Sequence, residues 1–197
     1  MMMTREDLIA EELTLLDTPR VQKGLVEIVN LLPAYFFIVP TSASGKYHPK
    51  YAGGKGGLLR HCKAAMRIGY DMFDNKVLSP DVDTLHKDLI LASIFVHDGL
   101  KLGNPQENST RWDHPVLMQK FLLENEDKIP SLTHDELVFM GDIISTHMGP
   151  WTVDRFGKEV LQAPKTEIQK FVHLCDYISS RKAVNFEFDD KWNIVIS

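Results

Sequence analysis

Apolar residues recur three and four positions apart along most of this chain, the spacing that lines one face of an α-helix. Leu58, Cys62, Ala65, Met66, Gly69 and Phe73 form one such stripe and predict a helix from Leu58 to Lys76. Leu85, Leu89, Ala92, Ser93 and Val96 form another, starting near Asp83-Thr84 and ending at His97-Asp98. Leu117, Met118, Phe121 and Leu122 follow Asp113, which reads as an N-cap. Leu137, Met140, Ile144 and His147 follow Thr133-His134-Asp135-Glu136, which has the form of a capping box, and Met148-Gly149-Pro150 ends that helix. Pro164 and Thr166 open a last helix that carries Ile168, Val172 and Asp176 and runs to Lys182. Upstream, Thr4 caps a short helix through Leu16, and Thr18-Pro19 starts a second that stops at Leu31-Leu32, before Pro33. From Pro40 to Gly57 the pattern breaks up in Ser, Gly, Lys and Pro. The tail from Val184 to Ser197 alternates weakly, so an irregular or short extended segment is expected there. The fold class expected is all-α, with one domain over residues 1–197. Its core spans about 48–182, and the helices of residues 4–32 pack on it.

Composition narrows the setting. A chain of 197 residues can bury a core without disulfides, and 44% hydrophobic with 25% charged residues is ordinary for a soluble globular protein. A formal charge of −5 argues against a general polyanion-binding surface but leaves room for a local basic groove that takes one phosphate-bearing substrate. Two cysteines, Cys62 and Cys175, make no disulfide framework and fit a reducing compartment. No apolar run approaches the ~20 residues of a membrane span, and the first residues lack the apolar core of a signal peptide. The expectation is a cytoplasmic protein with no membrane partner.

The polar residues that interrupt the apolar stripes carry the candidate chemistry. His61 lies one turn from Leu58 and from Ala65 and faces inward. His97 and Asp98 close the most apolar run of the chain, Leu89 to Val96. His114 sits in the first turn of its helix, His147 continues the Leu137 stripe, and Asp176 continues that of Ile168 and Val172. A single inward histidine is usually a hydrogen-bonded core residue. Four imidazoles and two carboxylates buried separately would each cost roughly 1–3 kcal/mol if unsatisfied. Gathering them around metal ions removes that conflict, because neutral imidazole and carboxylate are ordinary ligands of divalent cations.

The order His61, His97-Asp98, Asp176 resembles the HD-domain superfamily of metal-dependent phosphohydrolases, which is all-helical. The resemblance covers roughly His48 to Lys182. It is strongest in Gly57-Leu58-Leu59-Arg60-His61, Ile94-Phe95-Val96-His97-Asp98-Gly99-Leu100-Lys101, Ser145-Thr146-His147-Met148-Gly149 and Leu174-Cys175-Asp176. Among HD proteins these strings look most like the catalytic domain of YhaM-type 3′-to-5′ exoribonucleases. The resemblance implies an HD-type helical bundle in which His61, His97, Asp98 and Asp176 hold one metal. His114 and His147 help hold a second, with Asp98 as the bridge. The resemblance thus implies two divalent ions, and the ligand mix favours Mn or Fe, with Co, Zn, Ni or Mg as alternatives. The implied reaction is hydrolysis of a phosphoester by a metal-bound hydroxide, in a nucleotide or a short single-stranded nucleic acid. A nucleotide phosphomonoesterase, a dinucleoside-polyphosphate hydrolase and a non-catalytic nucleotide- or metal-binding module are the alternatives. Lys101 matches the lysine of the family's HDxxK pattern and is expected, with Asp98, in the catalytic machinery.

The chain departs from that pattern in four places. Gly99 and Leu100 are reversed relative to the common His-Asp-Ile-Gly-Lys, and His147-Met148 stands where two adjacent histidines are common. Arg60 stands where the exoribonucleases commonly have an acid, and the residues before His61 are too few for their nucleic-acid-binding domain. His48, Arg111, Trp112 and Trp151 are the candidate substrate-binding residues. The first lies in the loop ahead of the first ligand helix. The others flank His114 and His147, where an Arg and two indoles can bind phosphate and stack a base.

Overall fold

Helix α4 (Thr84–Val96) organises the molecule. Every residue from Asp88 to Val96 is buried, as expected of a helix that is apolar all round rather than on one face. In the computed structural model, which describes residues 4–42, 45 and 48–195, six further α-helices surround it. They are α1 (Ala10–Leu13), α2 (Pro19–Leu31), α3 (Gly57–Phe73), α5 (His114–Glu124), α6 (His134–Ser145) and α7 (Glu167–Ser179). α4 packs against α2, α3, α6 and α7; α5 pairs with α6, and α3 with α7. One buried cluster from Ile9 to Cys175 runs through this arrangement. The fold is all-α, as the spacing predicted. The described residues contain two isolated β-bridges, Val153–Glu159 and Phe188–Ile194, and no sheet. No helix of the described residues is long and apolar enough to cross a membrane.

The structure differs from the predicted helices mainly at their ends. The segment from Thr4 to Leu16 is a 3₁₀ turn (Asp7–Ile9) followed by the single turn α1. Thr18 does precede α2 but makes no side-chain cap. The buried Asp88 of α4 instead holds the chain just ahead of the helix, its Oδ2 accepting from the backbone N–H groups of Asp17 (2.9 Å) and Thr18 (2.6 Å). Asp113 precedes α5 but does not cap it, because Arg111 takes both its carboxylate oxygens. The expected capping box of Thr133 and Glu136 is present, and Thr166 forms a second with Gln169. α4 and α6 stop at Val96 and Ser145, short of the predicted His97-Asp98 and His147. The chain continues past each end in tighter turns, with Gly99 N–H on the Val96 carbonyl (2.8 Å) and His147 N–H on that of Ile144 (3.1 Å). α3 and α7 also end earlier than predicted, at Phe73 and Ser179.

The loop before α3 is ordered by Arg60. Its guanidinium donates to the carbonyls of Tyr51 (2.6 Å), Gly53 (2.7 Å) and Lys55 (2.9 Å). A Cβ on Gly57 would lie 2.2 Å from the Ala52 carbonyl oxygen, so only glycine lets the loop pack this closely on the start of α3. The tail closes over the same region. Phe186 and Phe188 pack on Tyr51, and the Trp192 ring lies against Gly56 and under Arg60. Residues 196–197 of the predicted tail, like 1–3, 43–44 and 46–47, lie outside the described residues.

Candidate metal centre

Five elements deliver six polar side chains to one point. His61 comes from the second turn of α3, and His97 and Asp98 from the turn that ends α4. His114 is the first residue of α5, His147 follows α6, and Asp176 lies in the last turn of α7. His61, His97, Asp98, His114 and His147 are all fully buried, whereas the Asp176 side chain is 19% exposed. A Cβ on Gly99 would lie 2.8 Å from Leu32 Cδ2 and 3.0 Å from Met118 Sδ. The glycine directly after Asp98 therefore lets this turn pack against α2 and α5.

The imidazoles are oriented from behind. His97 Nδ1 donates to the Ile94 carbonyl (2.6 Å), His114 Nδ1 to that of Arg111 (2.6 Å) and His147 Nδ1 to that of Ile144 (2.9 Å). His61 Nδ1 donates to Ser179 Oγ (3.2 Å), whose own proton goes to the Asp176 carbonyl (2.8 Å). A carbonyl only accepts, so each of those Nδ1 atoms carries the hydrogen and each neutral ring points its Nε2 lone pair inward.

Those Nε2 atoms meet carboxylate oxygens. His61 Nε2 lies 3.0 Å from Asp176 Oδ1 and 3.6 Å from Asp98 Oδ2. His97 Nε2 lies 3.4 Å from Asp176 Oδ1 and 3.7 Å from Asp98 Oδ2. On the other side, His114 Nε2 lies 2.9 Å from Asp98 Oδ1 and 3.2 Å from His147 Nε2, and His147 Nε2 lies 3.7 Å from Asp98 Oδ1. Lone pairs facing lone pairs repel unless a cation lies among them. Bonds of ~2.1 Å at tetrahedral or octahedral angles put neighbouring ligand atoms ~3.0–3.4 Å apart, close to these separations. His61 Nε2, His97 Nε2 and Asp98 Oδ1 are buried without a hydrogen-bond partner. Two sets of three could each hold an ion, His61, His97 and Asp176, and His97, Asp98 and His147, with ligand atoms within 4.8 Å of one another. His114 belongs to neither set, although its Nε2 is among the closest atoms to Asp98.

Charge in the centre follows from burial and neighbours. Burial opposes ionisation of Asp98, but Lys101, His97 and His114 outweigh it and hold the carboxyl well below its usual range. Burial opposes ionisation of Asp176 too, and His61 and His97 outweigh it. Burial lowers His61, and it pulls His147 down to about 3 with help from His97 and His114. At His97 burial opposes the charged form, but Asp98 and Asp176 outweigh it and raise that imidazole. Ionised Asp98 and Asp176 with His61 and His147 shifted toward the neutral form match the protonation states a divalent cation requires of its ligands.

The remaining candidates take different places. Lys101 Nζ is 2.5 Å from Asp98 Oδ2 and its side chain is 14% exposed, so it stands where the centre meets solvent even though α4 has already ended. His48 lies edge-on to His61 (ring centroids 5.7 Å apart), its Nδ1 buried and without a hydrogen-bond partner. Burial, then His61 and Lys101, hold it near 4. Arg111 is occupied, with Nε and Nη2 on Asp113 (2.8 Å each) and Nη1 on Glu107 (2.5 Å). Trp112 is 41% exposed. Trp151 stacks on Tyr177 (6.1 Å, 15°), whose ring also carries the Arg181 guanidinium at 4.2 Å. Cys62 and Cys175 are buried core thiols, raised by burial.

The sequence did not single out Ser179, Tyr51 or the Asp154–Lys158 turn. Tyr51 Oη donates to the Ser179 carbonyl (2.5 Å) and so braces the residue that orients His61. His173 Nδ1 donates to the His147 carbonyl (2.8 Å) and steadies the turn after α6. Ser179 was the most legible of these, since it stands three residues after Asp176 on the same helical face. No family model, curated protein or solved structure matches this chain.

Proposed function

We propose that this chain is a metal-dependent phosphohydrolase with an HD-type centre, acting on a phosphodiester of a nucleotide or short oligonucleotide. The observation that carries the proposal is the convergence of four inward Nε2 atoms on the buried Asp98 and the partly exposed Asp176 carboxylates at the spacing of ligands around cations. His61, His97, Asp98 and Asp176 would hold one ion, and His114 and His147 a second. Asp98 suits the bridging role because its Oδ2 faces His61 and His97 while its Oδ1 faces His114 and His147. The mixture of imidazole and carboxylate favours Mn or Fe, then Co, Zn, Ni or Mg. Bound divalent cations supply Lewis acidity and a nucleophilic water at neutral pH.

The chain's own groups supply the rest. The Nδ1 bonds to backbone carbonyls and to Ser179 fix each imidazole before any ligand arrives. The Lys101 ammonium, held by Asp98 at the solvent edge, neutralises a phosphoryl oxygen that enters there. His48, neutral at physiological pH, donates or accepts one hydrogen bond at the same edge. The apolar walls of α3, α4 and α7 exclude water from the back of the centre.

The test is metal content together with turnover of bis(p-nitrophenyl) phosphate and of p-nitrophenyl phosphate under added Mn. Wild type should bind two equivalents and prefer the diester. His97→Ala and Asp98→Ala should lose both metal and turnover, and His114→Ala and His147→Ala should lose the second equivalent first. Unchanged metal and turnover in the first two variants would overturn the assignment. Preference for the monoester would make the protein a phosphomonoesterase, and bound metal without turnover a binding module.

A further inference from the structure

A cavity of about 580 Å³ adjoins the centre at its His114 end, a volume within the usual range for small-molecule sites. Its lining includes His114 itself and Met148, the residue after His147. A larger cavity of about 900 Å³ runs along α6 past Asp142 and Gln169 and is lined by none of the six centre residues.

The walls of the smaller cavity are specific. The lining includes Trp112, 41% exposed and without an aromatic partner among the described residues. It also includes the tip of a tight turn that presents Arg155 and Phe156, the latter 80% exposed. The turn is not loose. Asp154 Oδ1 accepts from the backbone N–H groups of Phe156 (2.8 Å) and Lys158 (3.0 Å), and Asp154 N–H and Lys158 carbonyl pair at 2.9 Å. Gly157 takes the positive φ (79°) that the turn needs. Isolated exposed aromatics are commonplace, but two lining one cavity, one of them on a hydrogen-bonded turn, are the groups that bind a planar ring.

The charges divide in the same way. Arg111 is consumed by Glu107 and Asp113, and Asp154 by its own turn. Among the described lining residues Arg155 is the cation without a carboxylate partner, and its guanidinium lies 4.8 Å from the centroid of the Phe156 ring.

We propose that this cavity is the base subsite of a nucleotide substrate, with the ring held between Trp112 and Phe156 and Arg155 on the phosphate that leads toward the centre. The assignment rests on the phosphohydrolase proposal for the chemistry but is read from different residues.

Calorimetry on the Mn-loaded full chain tests it, using adenosine and a non-hydrolysable 5′-phosphonate of adenosine, with bis(p-nitrophenyl) phosphate turnover measured alongside. Trp112→Leu and Phe156→Leu should each raise the Kd for adenosine by about fivefold or more, and Phe156→Tyr should restore it. Arg155→Gln should spare adenosine and raise the Kd of the phosphonate by about tenfold. Adenosine binding that is absent in wild type, or equal in wild type and both leucine variants, overturns the subsite. If wild type still turns over the diester in that case, only the subsite falls. If adenosine binding depends on both rings while no phosphoester is hydrolysed, the subsite stands and the hydrolytic assignment falls.

Discussion

Three of the four histidines in the centre are aimed by backbone carbonyls that no substitution can remove. His61 alone is aimed by a side chain, the Ser179 hydroxyl, which is itself fixed by the Asp176 carbonyl. Ser179→Ala should leave His61 Nδ1–H buried without an acceptor, free the ring to turn, and weaken Mn binding by about 10–100-fold. Ser179→Thr keeps the hydroxyl and should restore most of the affinity. Chelator competition measures both, and equal affinity in Ser179→Ala and wild type would show that His61 needs no such support. At this scale the sequence was a good guide to which polar side chains converge and a poor one to their supports. An imidazole on an apolar stripe is conspicuous because its polarity conflicts with its position. A serine is not conspicuous, and nothing in Ser179-Ser180 says which hydroxyl turns inward until the phase of α7 is known.

Among the elements, the order of the helices was legible and their ends were not, because His97, Asp98 and His147 ride on three-residue turns that carry the chain past α4 and α6. Hydrophobic spacing continues through such turns, so periodicity runs past the last true helical bond. Contacts between helices that depend on single ion pairs were equally hidden. Arg20 of α2 grips Glu136 of α6 through both guanidinium nitrogens, and Glu136 also accepts from the Thr133 N–H (2.8 Å) in the capping box. The Arg20 hydrogen bonds, outweighing partial burial, hold the Glu136 carboxyl down at about 2. A folded-state value below the unfolded 4.5 means that the ionised pair stabilises the fold above about pH 4.5, and that this stability is lost as pH falls toward 2. Glu136→Gln keeps an oxygen for the cap and removes the titration. Wild type should therefore melt higher than the variant at pH 6, and the gap should close on acidification to about pH 2. A gap that stays constant in thermal melts across that range would mean the pair contributes nothing through its charge.

For the molecule as a whole, a formal charge of −5 sums every charged residue and does not show which charges lie inside. Lys63 is fully buried on α3, two residues from His61, with Nζ 2.8 Å from Glu12 Oε2 and 3.5 Å from Asn193 Oδ1. This one ammonium joins the N-terminal segment, α3 and the tail, three regions far apart in sequence. The spacing of α3 predicted an apolar stripe that does not include Lys63, and lysine is rarely buried without a partner. The partner lies 51 residues away, which no local pattern reports. Burial raises the Glu12 carboxyl despite Lys63, so the attraction does not fully offset desolvation. Removing one member strands the other, and Lys63→Met or Glu12→Leu alone should cost about 3–5 kcal/mol. The double variant Glu12→Leu/Lys63→Met replaces two buried charges with apolar groups of similar length and should lie within about 1–2 kcal/mol of wild type, or above it. Denaturant unfolding of the four proteins measures the coupling directly. If the double variant loses the sum of the two single losses, the pair is not a coupled unit. If it recovers as expected, the ion pair serves to bring these three regions into register rather than to supply net stability. In that case Mn affinity should fall in each single variant and return in the double.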